Sequence, residues 1–157
     1  MNRIKDKNVV SFVCLFVILF LSGCGLKVNT PSGFAKMKKP GIFFKYRAIS
    51  SDEVAIAFKV RKNEPVGDVA FWSKIIKEKV PLIYGYSFVQ EKDCVTGNNV
   101  KGKLLEFLVD NSDGKYTYLI GIFVKSKKIW IFESGGKKEA FETHRKDIVA
   151  MLQSVKL

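Results

Sequence analysis

Cysteine, histidine, carboxylate and tryptophan side chains are the groups in this sequence able to do chemistry, and their spacing limits what that chemistry can be. Cys24 follows Leu21-Ser22-Gly23 at the end of an apolar run. Its thiolate, behind the small residues 22 and 23, is a nucleophile able to form a thioether. Cys14 lies inside the apolar run. Cys94 has neither a second cysteine nor a neighbouring histidine in sequence, so it reads as a half-buried structural thiol in a strand. His144 is the only histidine, which excludes a multi-histidine metal site and a two-histidine relay; a Cys-His pair would need Cys94 beside it. Glu91 and Asp93 share one face of a strand and are the nearest approach to paired carboxylates, with a solvated strand edge as the simpler account. Gly-x-Ser-x-Gly, Gly-x-x-x-x-Gly-Lys-Ser/Thr, His-Glu-x-x-His and Cys-x-x-Cys are all absent. No catalytic, cofactor-binding or metal-ligating residue is therefore expected, and the protein is expected not to be an enzyme. A hydrolase with an unfamiliar site would need Glu91, Asp93, Asp110 or His144 clustered in one cleft.

The start of the chain reads as an address. Arg3, Lys5 and Lys7 precede a charge-free stretch of thirteen residues, Val9 to Leu21. As a helix this would cover roughly 20 Å, short of the roughly 30 Å hydrocarbon core, so a cleaved signal fits better than a permanent span. Leu21-Ser22-Gly23-Cys24 resembles the lipobox of bacterial lipoproteins at all four positions. The resemblance implies diacylation of the Cys24 sulfur and cleavage before it, in the manner of a palmitate-bearing lipoprotein. An ordinary secretory peptide cut near Gly23 or Gly25 is the alternative. By the lipoprotein sorting rule, Gly25 rather than Asp after the cysteine implies the periplasmic face of the outer membrane in a cell with two membranes. Two or three acyl chains hold a protein where one would not.

Lysine is in excess: 27 Lys plus Arg stand against 15 Asp plus Glu. Export removes nucleic acid as the explanation, leaving the membrane reached through the N-terminal lipid, an anionic lipid or cell-wall polymer, or an acidic envelope protein. Lys36, Lys38 and Lys39, close to the anchor, are candidates for contact with anionic head groups. Trp72 and the basic turn Lys125, Lys127 and Lys128 are candidates for partner binding, with Lys137 and Lys138 a further addition to one basic end. Phe71, Trp72, Tyr84 and Tyr86 could instead line a groove or simply fill the core.

These residues need a scaffold, and 157 residues with 47% hydrophobic content give room for one domain. Residues 1–23 read as the signal peptide, 24–40 as a lipidated flexible tether rich in Gly, Pro, Ser and Asn, and 41–157 as one folded domain. Phe43 to Ser50 and Val54 to Arg61 read as two strands joined by a polar hairpin, with Val54, Ile56, Phe58 and Val60 on one face. Asp68 caps a helix carrying Val69, Trp72, Ile75, Ile76 and Val80, whose last turn Pro81 disturbs. Tyr86–Asp93, Lys103–Val109, Tyr116–Val124 and Ile129–Glu133 read as strands, the third apolar on both faces and so interior to the sheet. Asp113-Gly114 signals a tight hairpin, and a last helix follows Ser134-Gly135-Gly136 with Phe141, Ile148, Val149, Leu152 and Val155 as its stripe. The class is α+β, in the order ββαββββα: a mostly antiparallel β-sheet flanked by helices on both faces, an α/β/α sandwich.

Gly67-Asp68-Val69-Ala70-Phe71-Trp72, Asp113-Gly114-Lys115-Tyr116-Thr117-Tyr118 and Glu133-Ser134-Gly135-Gly136 with Phe141 and Leu152-Gln153-Ser154-Val155 resemble, over residues 42–157, the PsbP-like (DcrB-like) sandwich of small bacterial lipoproteins and photosynthetic-membrane proteins. These motifs are helix starts, turns and core positions. The resemblance implies a non-enzymatic accessory domain that binds another envelope component; a small-molecule or lipid-binding module with a pocket between helix and sheet is the alternative.

Overall fold

Alternation of apolar and polar residues over the strand segments and a 3.6-residue period over the helices build the molecule seen in the computed structural model, which describes residues 26–157. The segment read as a signal peptide and Cys24 lie outside the described residues. The elements are β1 (Phe34–Lys36), β2 (Phe44–Ser50), β3 (Ala55–Lys62), α1 (Val69–Tyr84), β4 (Ser87–Val95), β5 (Lys101–Asn111), β6 (Gly114–Lys125), β7 (Lys128–Lys137) and α2 (Lys138–Ser154). All pairings in the single seven-stranded sheet are antiparallel, in the order β1-β2-β3-β7-β6-β5-β4. Among the described residues no helix is long and apolar enough to cross a membrane.

Each helix covers one face. Under α2, Phe58, Phe123, Phe132, Phe141, Ile148 and Leu152 form one apolar layer. Under α1, Leu105, Phe107, Ile120, Ile122 and Ile129 pack with Val80, Trp72 and Ile76. β6 feeds both layers, Leu119 and Phe123 on one side and Ile120 and Ile122 on the other, as its two-sided apolar pattern requires. α1 begins where Asp68 accepts the Phe71 N–H at 2.7 Å and ends where left-handed Gly85 donates its N–H to the Pro81 carbonyl. The helix runs through Pro81 to Tyr84.

The structure departs from the sequence reading in three places. The segment read as a tether lies partly on the body: β1 pairs with β2, Lys27 bridges Lys156, and Leu26, Val28 and Phe34 pack against the α2-side core. Ser134, Gly135 and Gly136 belong to β7 rather than to a break before the helix. A Cβ on Gly136 would sit 2.9 Å from Val54 Cγ2, so close strand packing, not chain reversal, asks for glycine there. In the β5–β6 hairpin the two loop residues are Ser112 and Asp113, with Gly114 paired to Asn111 as the first residue of β6.

Candidate binding face

α1 lies chiefly over β4, β5 and β6 and reaches β7 at Ile129 and Ile131. The same side of β3, β2 and the C-terminal half of β7 has no helix above it, so side chains that alternate toward that side line two adjoining depressions. The first, about 600 Å³, runs between the N-terminal half of α1 and the sheet. Its walls are Trp72, Ile75 and Ile76 from α1 and Ile129 and Ile131 from β7, with Arg61, Lys62 and Glu64 at its mouth. The second, about 340 Å³, has Ala55 and Ala57 of β3 as a low floor and Phe44, Arg47, Lys59 and Tyr118 among its walls. Small alanines beneath long charged neighbours make a trough with an apolar bottom and a cationic rim.

Aromatic rings hold the rim cations in place. Arg47 lies 4.8 Å and Lys59 5.1 Å from the Phe44 ring centroid, and Arg61 lies 5.6 Å from that of Phe43. Lys59 also pairs with Glu133 at 2.5 Å. Burial, and then the nearby Glu133 carboxylate, push the Tyr118 hydroxyl far above its ordinary range, so it stays protonated beside the trough. Tyr118 continues into an aromatic ladder with Tyr86 and Tyr84, each centroid step 5.7 Å.

Trp72 and the basic turn, far apart in sequence, meet through a residue that sequence reasoning missed. Buried Asn63 accepts the Trp72 indole N–H at 2.7 Å and exchanges bonds with Gly67, while its own N–H donates to the Lys127 carbonyl at 3.0 Å. Lys128 pairs in register with Lys62, beside the groove mouth. Lys125 donates instead to the Leu157 main-chain oxygen. Lys137, paired with Tyr116 at the far end of β7, and Lys138 are a strand's length from that turn and form no common basic end with it. Lys36 lies over Tyr46 at 5.8 Å on the edge strand, and Lys38 and Lys39 are exposed in the β1–β2 loop.

Of the remaining chemical candidates, Glu91 and Asp93 meet through Lys103, and Asp110, His144 and Cys94 stand apart from them. Glu91 accepts from Ser73 at 2.6 Å and pairs with Lys77 and Lys103, which with the serine hold its carboxyl near 2. Asp93 shares Lys103, and Asp110 pairs with Lys115 at the other end of the sheet. His144, on α2, touches Asp52 at 3.0 Å and the Phe34 ring. Cys94 is buried, and burial pushes its thiol up. Among the described residues no cluster of three potential metal ligands occurs. Glu106, also missed in the sequence, is buried under α2; burial raises its carboxyl, but a forked pair with Arg145 and a bond from Gln90 outweigh that and hold it below the usual range. The signal for it was a lone glutamate inside Leu104-Leu105-Glu106-Phe107-Leu108.

This architecture, one antiparallel sheet with a helix on each face in this order, is the PsbP-like fold. The solution structure of cyanobacterial PsbP (CyanoP) from Synechocystis sp. PCC 6803 superposes with a TM-score of 0.61 at 11% identity, covering 85% of this chain and 87% of that one. LpqN of Mycobacterium tuberculosis, described as involved in cell envelope biogenesis, superposes at 0.66 with 7% identity, covering 84% and 83%. The Ran-binding protein Mog1p of Saccharomyces cerevisiae superposes at 0.54 with 10% identity, covering 82% and 80%. At such identities the likeness is one of fold. No family profile and no curated protein matches the sequence.

Proposed function

We propose that this protein is a bacterial envelope lipoprotein, anchored through Cys24 on the extracytoplasmic side of its membrane, whose single domain is a non-enzymatic binding module for another envelope component. The observation that carries the reading is the sheet face that α1 leaves open, with an apolar floor and Arg47, Arg61 and Lys62 on its rim. That face suits a partner with both apolar and anionic surface. The lipobox residues support the anchor, and LpqN supplies a protein of the same fold described as involved in envelope biogenesis. Photo-cross-linkers at Arg47 and Trp72 in growing cells should give reproducible adducts to one envelope protein or polymer, whereas a cross-linker at Asp147 on α2 should not. Equal capture from all three sites, or none, would remove the binding face from this reading. Cys24→Ala should abolish acylation and release from the signal peptide, read by intact mass.

The apolar walls of the Trp72 groove favour a second reading, a small apolar ligand held between α1 and the sheet. Its volume falls within the range of ordinary ligand pockets. Quenching or shift of Trp72 fluorescence by an added alkyl carboxylate, lost in Ile131→Asp, would support this over a protein partner.

A further inference from the structure

We infer that the end of the body carrying the β1–β2 loop, the β3–α1 loop and the β6–β7 turn is a bilayer-contact surface: Ile42, Phe43 and Val66 enter the interfacial layer and the cations between them meet anionic head groups. This rests on the lipoprotein reading for the anchor and assigns an adjoining surface, which shares Arg61 and Lys62 with the mouth of the groove.

Three observations converge on that end. Apolar side chains stand at the loop tips, Ile42 92% exposed, Val66 88% and Phe43 61%, clear of both cores. Around them stand Arg61, Lys62, Lys127 and Lys128, none of which makes an ion pair among the described residues; the carboxylates of these loops are Glu64 and the helix-capping Asp68. Apolar tips set among unpaired cations are the composition that an anionic membrane surface attracts.

The third observation is where the chain enters. Lys27 exchanges main-chain bonds with Lys156 at 3.1 and 3.2 Å. Neighbouring Leu157 is bonded to Asn98 of the β4–β5 turn and to Lys125 at the end of β6, both on this same end. Lys27 follows Cys24 by three positions, a reach of about 10 Å. A thioether lipid at Cys24 therefore holds this end, and no other, at the head groups. The opposite end also exposes Leu82, Ile83 and Tyr84, but it lies about 40 Å away along the twelve-residue β6, and its Lys115 and Lys137 are paired with Asp110 and Asp113.

The test uses the full chain, expressed as a lipoprotein and reconstituted into phosphatidylcholine–phosphatidylglycerol vesicles with brominated acyl chains. An environment-sensitive dye is placed at Ile42→Cys or, as control, at Leu82→Cys; buried Cys94 stays unlabelled. The dye at 42 should be quenched about threefold more strongly than the dye at 82. The charge reversal Lys62→Glu/Lys127→Glu/Lys128→Glu, with an unchanged circular dichroism spectrum, should bring position 42 to the level of 82. Equal quenching at both sites, quenching at 82 alone, or capture of a protein from position 42 in cells without quenching in vesicles would overturn the inference. Intact mass reports the anchor separately: a mature chain without diacylglycerol sinks the lipoprotein reading, and the same pair of dyes is then read on the unacylated protein added to vesicles.

Discussion

Glu91 shows how single side chains organise the charge of the α1 face. Lys77, Ser73 and Lys103 hold its folded carboxyl near 2, below its ordinary 4.5, so folding favours the ionised form. The stability this contributes is complete above the unfolded value and is lost as pH falls from about 4.5 through 2. Glu91→Gln should flatten that part of the stability curve, measured by urea unfolding at stepped pH; an unchanged slope would assign the acid sensitivity to other carboxylates. Glu106 is a different case, because it is 8% exposed and faces Arg145 across 39 positions of sequence. Arg145→Met should cost about 2 kcal/mol by leaving that carboxylate with Gln90 alone, and Arg145→Met/Glu106→Met should recover most of it. Equal destabilisation by the single and double variants would mean that Arg145 acts through its packing on Phe141 instead. Local chemistry was readable at this scale: Asp68 as a cap and Cys94 as a thiol set into a strand needed only their neighbours. Asn63 and Glu106 were not, since their roles depend on partners that only the folded sheet supplies.

At the scale of elements, period and punctuation defined β2 to β7 and both helices, because all but β4, which buries Cys94 alone, bury several residues or carry turn signals at their ends. β1 escaped notice because three residues, half-buried at best, carry no periodicity; its stability comes from β2 and from the contacts of Phe34. The β7 glycines misled for the opposite reason: Gly usually marks a break, and here it marks strands in close contact. Gly102 makes the same point as a prediction. A Cβ there would lie 2.4 Å from the Ile122 carbonyl oxygen of β6, so Gly102→Ala should part the β5–β6 pair and cost about 2 kcal/mol in thermal or urea unfolding. A neutral result would show that β6 can shift without loss. The open side of β2, β3 and β7 was equally hidden, because no sequence pattern says that α1 is too narrow to cover seven strands.

For the whole molecule, protection should follow sheet position. Amides of β6 and β7, interior strands with a neighbour on each side, should exchange slowest, and those of β1 and the Lys27 bridge first, long before global unfolding. Protection of β1 equal to that of β7 would mean that the edge folds and unfolds with the core. The Lys27–Lys156 bridge also has a practical outcome for anyone handling the protein. Because it sets the segment leading to Cys24 beside Leu157, a sequence appended after Leu157 would be wedged between the body and its anchor, whereas an insertion in the Ser112-Asp113 loop would project from the far end. The same adjacency makes the two ends joinable by a short linker, so a permuted chain opened at that loop should refold to the same sandwich.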